Sequence, residues 1–180
     1  RASAPIDIQC HAHNDFGLAV ANTLAGLEAG ARYFHVTVNG IGERAGMPDI
    51  AQMAMALKQL HGIDLGLKLD RLWSLARLVA RATHQPVAPW QPVVGDNVFS
   101  HESGIHVRGT LRDERAFEPF PPETVGGTRR IVIGKHSGRA TLRSVLEDRG
   151  FETDDEKLAK CLSAVRTAAI RQGSAITPDQ

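Results

Sequence analysis

Cysteine is scarce. Cys10 and Cys161 are the only two in 180 residues, and two distant thiols do not make a disulfide framework. The scarcity favours a reducing compartment, so the expected location is cytoplasmic. Net charge is almost absent: 21 Lys and Arg against 20 Asp and Glu leave +1, and no field favours nucleic acid or an anionic membrane. No apolar run approaches the roughly 20 residues that span a bilayer, and no signal-peptide pattern is visible. No methionine precedes Arg1, which stands directly ahead of a strand pattern; this reads as a piece of something longer. The rest of the composition is ordinary for a soluble protein, with 42% hydrophobic and 23% charged residues. The length suits one medium domain or two small ones.

What is present is hydrophobic patterning of two kinds. Ile6 to His13 alternates, with Ile6, Ile8, Cys10 and Ala12 on one face and Asp7, Gln9, His11 and His13 on the other. Residues 16–30 read as a helix carrying Val20, Leu24 and Leu27 and ending at Gly30. Tyr33 to Asn39 reads as a second strand, followed by the turn 40-GIGERAG-46. Pro48 is expected to open a helix bearing Met53, Leu57 and Leu60 and stopping at Gly62, and Asp70 to cap another with Leu72, Leu75 and Leu78. Strand, helix, strand, helix is the pattern of a parallel α/β sheet. Only two such units occur, whereas a closed (β/α)₈ barrel needs eight strands and about 250 residues.

Three prolines in 85-QPVAPWQPVVG-95 mark a linker. Beyond it, residues 97–115 are expected to be helical, 119–127 a loop, and Ile131–Ile133 a short extended segment. Ser137 is expected to start a helix, and Thr153 with Glu156 to form a capping box for a last one, with Leu158, Cys161, Leu162 and Val165 facing inward. The expected divisions are 1–84, a linker over 85–96, and 97–180.

Three places carry candidate chemistry. In 10-CHAHND-15, His11 and His13 are i and i+2 on a strand and point the same way, so both imidazoles reach one cation; otherwise they are hydrogen-bonding residues of a polar interior. Strand C-terminal ends are where α/β folds place their sites, but two ligands are not a site, and a carboxylate must come from elsewhere. In 101-HESGIHVRG-109, His106 is a possible general base, with Glu102 one helical turn away to orient it; the alternative is an ordinary surface histidine. In 134-GKHSGRA-140, Lys135, His136 and Arg139 surround a helix start at Ser137, with Arg129 and Arg130 upstream. That suits an anion such as phosphate, or is simply a solvated basic turn with a serine cap. GIGERAG lacks the dinucleotide and Walker patterns, and its Glu43 and Arg44 are expected to pair as a clamp.

HAHND, VNGIGERAG, FSHESGIHVRG, EPFPPETVGG and GKHSGRA occur in that order. The set resembles the C-terminal half of the homocitrate synthase and 2-isopropylmalate synthase family, over roughly residues 6 to 150. The resemblance implies the C-terminal portion of a TIM (β/α)₈ barrel, its last strands and helices, followed by a small, mostly helical α+β subdomain. It implies condensation of acetyl-CoA with an oxo acid, with a divalent metal (Mg²⁺, Mn²⁺ or Zn²⁺) held in part by His11 and His13. It also implies an acid/base role for His106, which the spacing places Glu102 to orient, and Lys135, His136, Ser137 and Arg139 are the cofactor-binding candidates. GKHSGRA and EPFPPETVGG favour 2-oxoglutarate, hence homocitrate, for lysine biosynthesis or nitrogenase cofactor supply; 2-isopropylmalate and citramalate are the substrate variants.

Three positions depart from the family pattern. Met47 stands where many members carry an asparagine that approaches the metal, and a thioether is a poor ligand for a hard ion. Phe117 replaces a tyrosine, and Arg108 an aspartate. The family's first strand, with its arginine and acidic ligand, is also not in this chain. Two barrel strands leave open edges, so the expectation is a fragment, one half of a split enzyme, or strands exchanged between copies in a homodimer, and the chain alone is expected to be inactive. The rival reading is a non-catalytic module that binds a partner half.

Overall fold

The structure, a computed structural model, describes residues 6–101, 118–173, 175 and 176. The chain divides into two compact units, Arg1–Val98 and Phe99–Gln180.

The first unit is built on one βαβ step. Strand β1 (Gln9–Cys10) pairs in parallel with β2 (Tyr33–Phe34), with Gln9 opposite Tyr33 and Cys10 opposite Phe34. Helix α1 (Ala19–Glu28) makes the crossover. It comes unusually close to the sheet at Gly26, where a β-carbon would lie 2.3 Å from Cys10 Sγ. The ladder is shorter than the alternation predicts: among the described residues, two residues of Ile6–His13 pair with two of Tyr33–Asn39, and Thr37 makes a separate parallel bridge to Asp49. A strand exists only where a neighbour accepts its hydrogen bonds, and among the described residues each of these has one. Ile6 and Ile8, on the expected apolar face, are 67% and 55% exposed.

Helix α2 (Ile50–His61) supplies most of this unit's core, with Ala51, Met53, Ala54, Met55 and Leu57 buried. Its N-cap is Asp49, whose carboxylate accepts from Ala51 N; Pro48 lies just outside the helix rather than opening it. Such a cap is worth about 1 kcal/mol. Gly62 ends the helix in the left-handed conformation, as predicted. Helix α3 (Leu72–Thr83) follows a 3₁₀ turn, Leu69–Arg71. Asp70 lies inside that turn and does not cap α3, which has no side-chain N-cap. Residues 85–96, expected as a linker, fold back onto this unit. Val94 is fully buried, Arg77 donates to Val94 O and to Asp96, and Gln91 Nε2 donates to Asp49 Oδ2.

In the second unit, strand β3 (Ser100–His101) pairs in parallel with β4 (Arg130–Ile131). Ser100 and His101 are therefore extended, not helical; the rest of the helix expected over 97–115 lies mostly outside the described residues. Helices α4 (Arg139–Glu147) and α5 (Asp155–Gln172) pack Leu142 and Val145 against Leu158 and Leu162, with Ile133 beneath and Leu146, Cys161 and Val165 at the margin. That is the inward face expected of α5. Its cap differs: Asp154 accepts from Lys157 N, while Thr153 Oγ1 has no partner among the described residues and Glu156 pairs with Lys160. A carboxylate is the better cap acceptor at a helix N-terminus because it also meets the dipole. Among the described residues no helix is long and apolar enough to cross a membrane.

Candidate functional site

Beyond β1 the chain runs through His11 and His13 into the turn before α1. The two residues have left the ladder but keep their common direction, and their Nε2 atoms are 3.3 Å apart. Two nitrogens bound at 2.0–2.1 Å to a tetrahedral zinc ion stand about 3.3 Å apart, so this spacing fits a shared divalent cation. Nδ1 of His11 lies 2.8 Å from Nδ1 of His35, and the three rings meet edge to face. Nδ1 of His13 is buried and has no hydrogen-bond partner among the described residues. Those residues contain no group of three or more His, Cys, Asp or Glu side chains that could hold a metal; the chain offers this pair of donors.

The rest of HAHND is structural. Asn14 N donates to Gly46 O, and its Oδ1 accepts from Ala19 N at the start of α1. Asp15 takes Arg44 on both oxygens, at 2.9 and 3.0 Å. That hydrogen-bonded guanidinium holds the Asp15 carboxyl below its ordinary pKa and raises that of Arg44. The expected Glu43–Arg44 clamp is therefore replaced by Arg44–Asp15. Adjacent residues in this turn diverge, and Arg44, at φ +54, turns toward the histidine loop. Asp15 is committed to the arginine on both oxygens.

The GIGERAG turn is closed by Met47 N donating to Gly40 O and Gly46 N to Glu43 O. Gly46 has φ +88, and a β-carbon there would lie 1.9 Å from Gly40 O, so no other residue fits. Met47, half-buried, lays its Cγ against Gly42. Asn39, at φ +61, donates from Nδ2 to Ala76 O and ties the turn to α3. Asp49, 3% exposed, has its pKa raised by burial, against hydrogen bonds from Ala51 N and Gln91.

In the second unit, Ser137 does not cap α4. It is fully buried, its Oγ accepts from Gly134 N, and its carbonyl accepts from Arg166. The helix starts two residues later with Gly138 at the cap position. Lys135, His136 and Arg139 are exposed around this start. Arg129, expected among the cations of an anion site, is held by buried Glu118 through two 2.8 Å hydrogen bonds. His106, Glu102, Arg108 and Phe117 lie outside the described residues. Sequence reasoning missed His35 and the Arg44–Asp15 and Arg129–Glu118 pairs.

A parallel βαβ unit with two imidazoles converging beyond a strand's C-terminal end, followed by a small α+β unit, is an α/β arrangement whose candidate site lies at the strand ends. Residues 1–79 match the HMGL-like family model, and residues 93–173 match the homocitrate synthase post-HMGL domain-like family model. The chain is 61% identical over 179 residues to a 2-phosphonomethylmalate synthase of Streptomyces rubellomurinus, covering 99% of this chain and 48% of that protein. It is 45% identical to homocitrate synthase 1 of a Nostoc species, covering 97% and 46%. It is 51% identical to a probable 2-isopropylmalate synthase of Archaeoglobus fulgidus, covering 90% and 32%. The chain belongs to the homocitrate synthase and 2-isopropylmalate synthase family, and it spans half or less of the length of these relatives.

Proposed function

We propose that this chain forms the last strands and helices of a TIM-barrel synthase and the subdomain behind it, within a longer or two-part enzyme that condenses acetyl-CoA with a 2-oxo acid. The observation that carries the reading is the 3.3 Å convergence of His11 and His13 Nε2 at the end of β1. These two residues would hold a divalent cation, with its remaining ligands from polypeptide outside this chain; when bound, it supplies Lewis acidity toward the keto oxygen of the oxo acid. The reaction joins the acetyl methyl carbon to the keto carbon, and hydrolysis of the thioester releases CoA. His106, oriented by Glu102, is the proposed carrier of the methyl proton. Lys135, His136, Ser137 and Arg139 form the proposed contact region for the acyl-CoA, with Ser137 shaping the turn and the exposed cations facing the anion.

For the oxo acid we favour one bearing a second anionic group. Taking the acetyl unit off 2-phosphonomethylmalate, the product in the name of the 61% identical relative, leaves 3-phosphonopyruvate. The 45% identical homocitrate synthase and the GKHSGRA motif favour 2-oxoglutarate as the second reading. The test is CoA release by the full-length protein, offered acetyl-CoA with 3-phosphonopyruvate, 2-oxoglutarate, 2-oxoisovalerate and pyruvate in turn. Preference for the first supports the reading, and preference for either of the last two overturns the anionic class. Stoichiometric Mn²⁺ binding lost in the His11→Ala/His13→Ala double variant supports the enzyme. A full-length protein that neither binds metal nor releases CoA is the non-catalytic module instead.

A further inference from the structure

His35 is an exposed histidine on no recognised motif, yet its Nδ1 lies within hydrogen-bond distance of that of His11. The parallel register explains why. Cys10 is opposite Phe34, and His35 N donates to Cys10 O at 3.0 Å. The next residue on each strand, His11 and His35, therefore stand side by side with the same pleat direction. Their Nδ1 atoms are 2.8 Å apart, a full-strength hydrogen-bond distance.

An imidazole has two ring nitrogens, and in the ligating form only one carries hydrogen. A nitrogen that binds a cation must present its lone pair. If His11 binds through Nε2, the atom that faces His13, its hydrogen is on Nδ1. That hydrogen points at His35 Nδ1, which must then be the acceptor, with its own hydrogen on Nε2. The geometry thus permits one assignment for the chain of three rings once a cation is present. The partner of a ligating histidine's second nitrogen fixes the ring's tautomer and orientation. In most such sites it is a carboxylate or a carbonyl, and here it is a third imidazole. His13 has no counterpart among the described residues, since its Nδ1 is unpartnered. The rigidity of the pair therefore rests on His11.

We infer that His35 is a positioning residue for the cation site: it accepts the Nδ1 hydrogen of His11 and holds that ring with its Nε2 lone pair toward the ion. The inference rests on the cation reading of His11 and His13 proposed above.

The test is Mn²⁺ binding by calorimetry on the full-length protein, comparing wild type, His35→Ala, His35→Asn and the His11→Ala/His13→Ala double variant. Asparagine places a carbonyl Oδ1 at the same bond count from the backbone as histidine Nδ1, so it restores the acceptor without the ring. His35→Ala is expected to weaken Mn²⁺ binding about 10- to 100-fold, and His35→Asn to bind within about threefold of wild type, a rescue that loss of ring packing would not give. Imidazole ¹⁵N shifts of the zinc-loaded protein are expected to place the His11 hydrogen on Nδ1. If wild type and His35→Ala bind equally tightly, or His35→Asn is as weak as His35→Ala, the inference is overturned while the cation reading stands. If wild type itself takes no Mn²⁺, the cation reading falls and takes this one with it.

Discussion

Arg44 holds Asp15 by both carboxylate oxygens and so fastens the turn after β2 to the histidine loop after β1. Both side chains are substantially exposed, so the pair adds little to global stability; its work is to fix where the loop stands. Lysine keeps the charge but not the two-pronged geometry. Arg44→Lys is therefore expected to leave the melting temperature nearly unchanged and to weaken Mn²⁺ binding by the full-length protein severalfold, since ligand orientation by outer groups governs affinity. The pH dependence has a definite sign. The Asp15 pKa is lowered in the folded state, so its contribution is present above the ordinary carboxylate value of about 4 and is lost as pH falls through the lowered one. In Asp15→Asn that acid-side loss disappears, and melting curves taken on acidification check it.

Asp49 behaves in the opposite way. Its pKa is raised because it is buried, so the folded state holds the proton more tightly than the unfolded chain does. Its contribution to stability is greatest below the ordinary carboxylate value and declines as pH rises through the raised one. Asparagine caps a helix as well as aspartate does and carries no charge to desolvate. Asp49→Asn is expected to melt higher than wild type at pH 7, with the gap narrowing as pH falls through the raised value and closed by about pH 4. A variant that melts several degrees lower at pH 7 would show that the carboxylate's hydrogen bonds with Ala51 and Gln91 outweigh its burial.

Much of the fold was legible because apolar spacing is a local property. Met53 and Leu57 on α2, and Leu158, Leu162 and Val165 on α5, repeat at helical intervals and face inward in the structure. The common direction of His11 and His13 was legible for the same reason, since parity along one strand needs no knowledge of its neighbours. His35 was not, because it meets His11 across 24 residues of sequence through a strand register that only pairing decides. Arg44 was assigned to the carboxylate next to it in sequence, whereas the left-handed backbone at Arg44 sends it to Asp15. The extent of the strands was over-read at Ile6–His13 because alternation reports which residues suit a sheet, not how many find a partner in this chain.

Gly26 and Cys10 are coupled by contact. A methyl group at residue 26 would lie 2.3 Å from the cysteine sulfur, well inside the contact distance of any pair of heavy atoms. Gly26→Ala is expected to destabilise the first unit by roughly 1–3 kcal/mol through overpacking, despite alanine's better helix propensity. Removing the sulfur relieves the clash, so Cys10→Ala/Gly26→Ala is expected to be more stable than Gly26→Ala. A double-mutant cycle by urea denaturation reads the coupling. Strict additivity would mean that the Cys10 sulfur rotates away, or α1 shifts from β1, at no cost.

The Glu118–Arg129 pair joins the start of the EPFPPETVGG loop to the strand that follows it. The Glu118 side chain is 2% exposed and that of Arg129 is 25% exposed, with two hydrogen bonds of 2.8 Å between them. Losing one member of such a pair takes the principal counter-charge from the other in a poorly solvated place, which costs more than the intact pair contributes. Glu118→Ala is accordingly expected to destabilise the second unit by roughly 3 kcal/mol. Glu118→Gln, which keeps an acceptor oxygen but not the charge, is expected to cost less. Replacing both residues by apolar ones of similar volume, as in Glu118→Met/Arg129→Met, is expected to cost less than Glu118→Ala alone, because neither charge is then left in a poorly solvated place. Chemical denaturation of the three variants ranks them. If the double replacement proves the most damaging, the pair would be contributing specific geometry to the loop rather than merely satisfying one buried carboxylate.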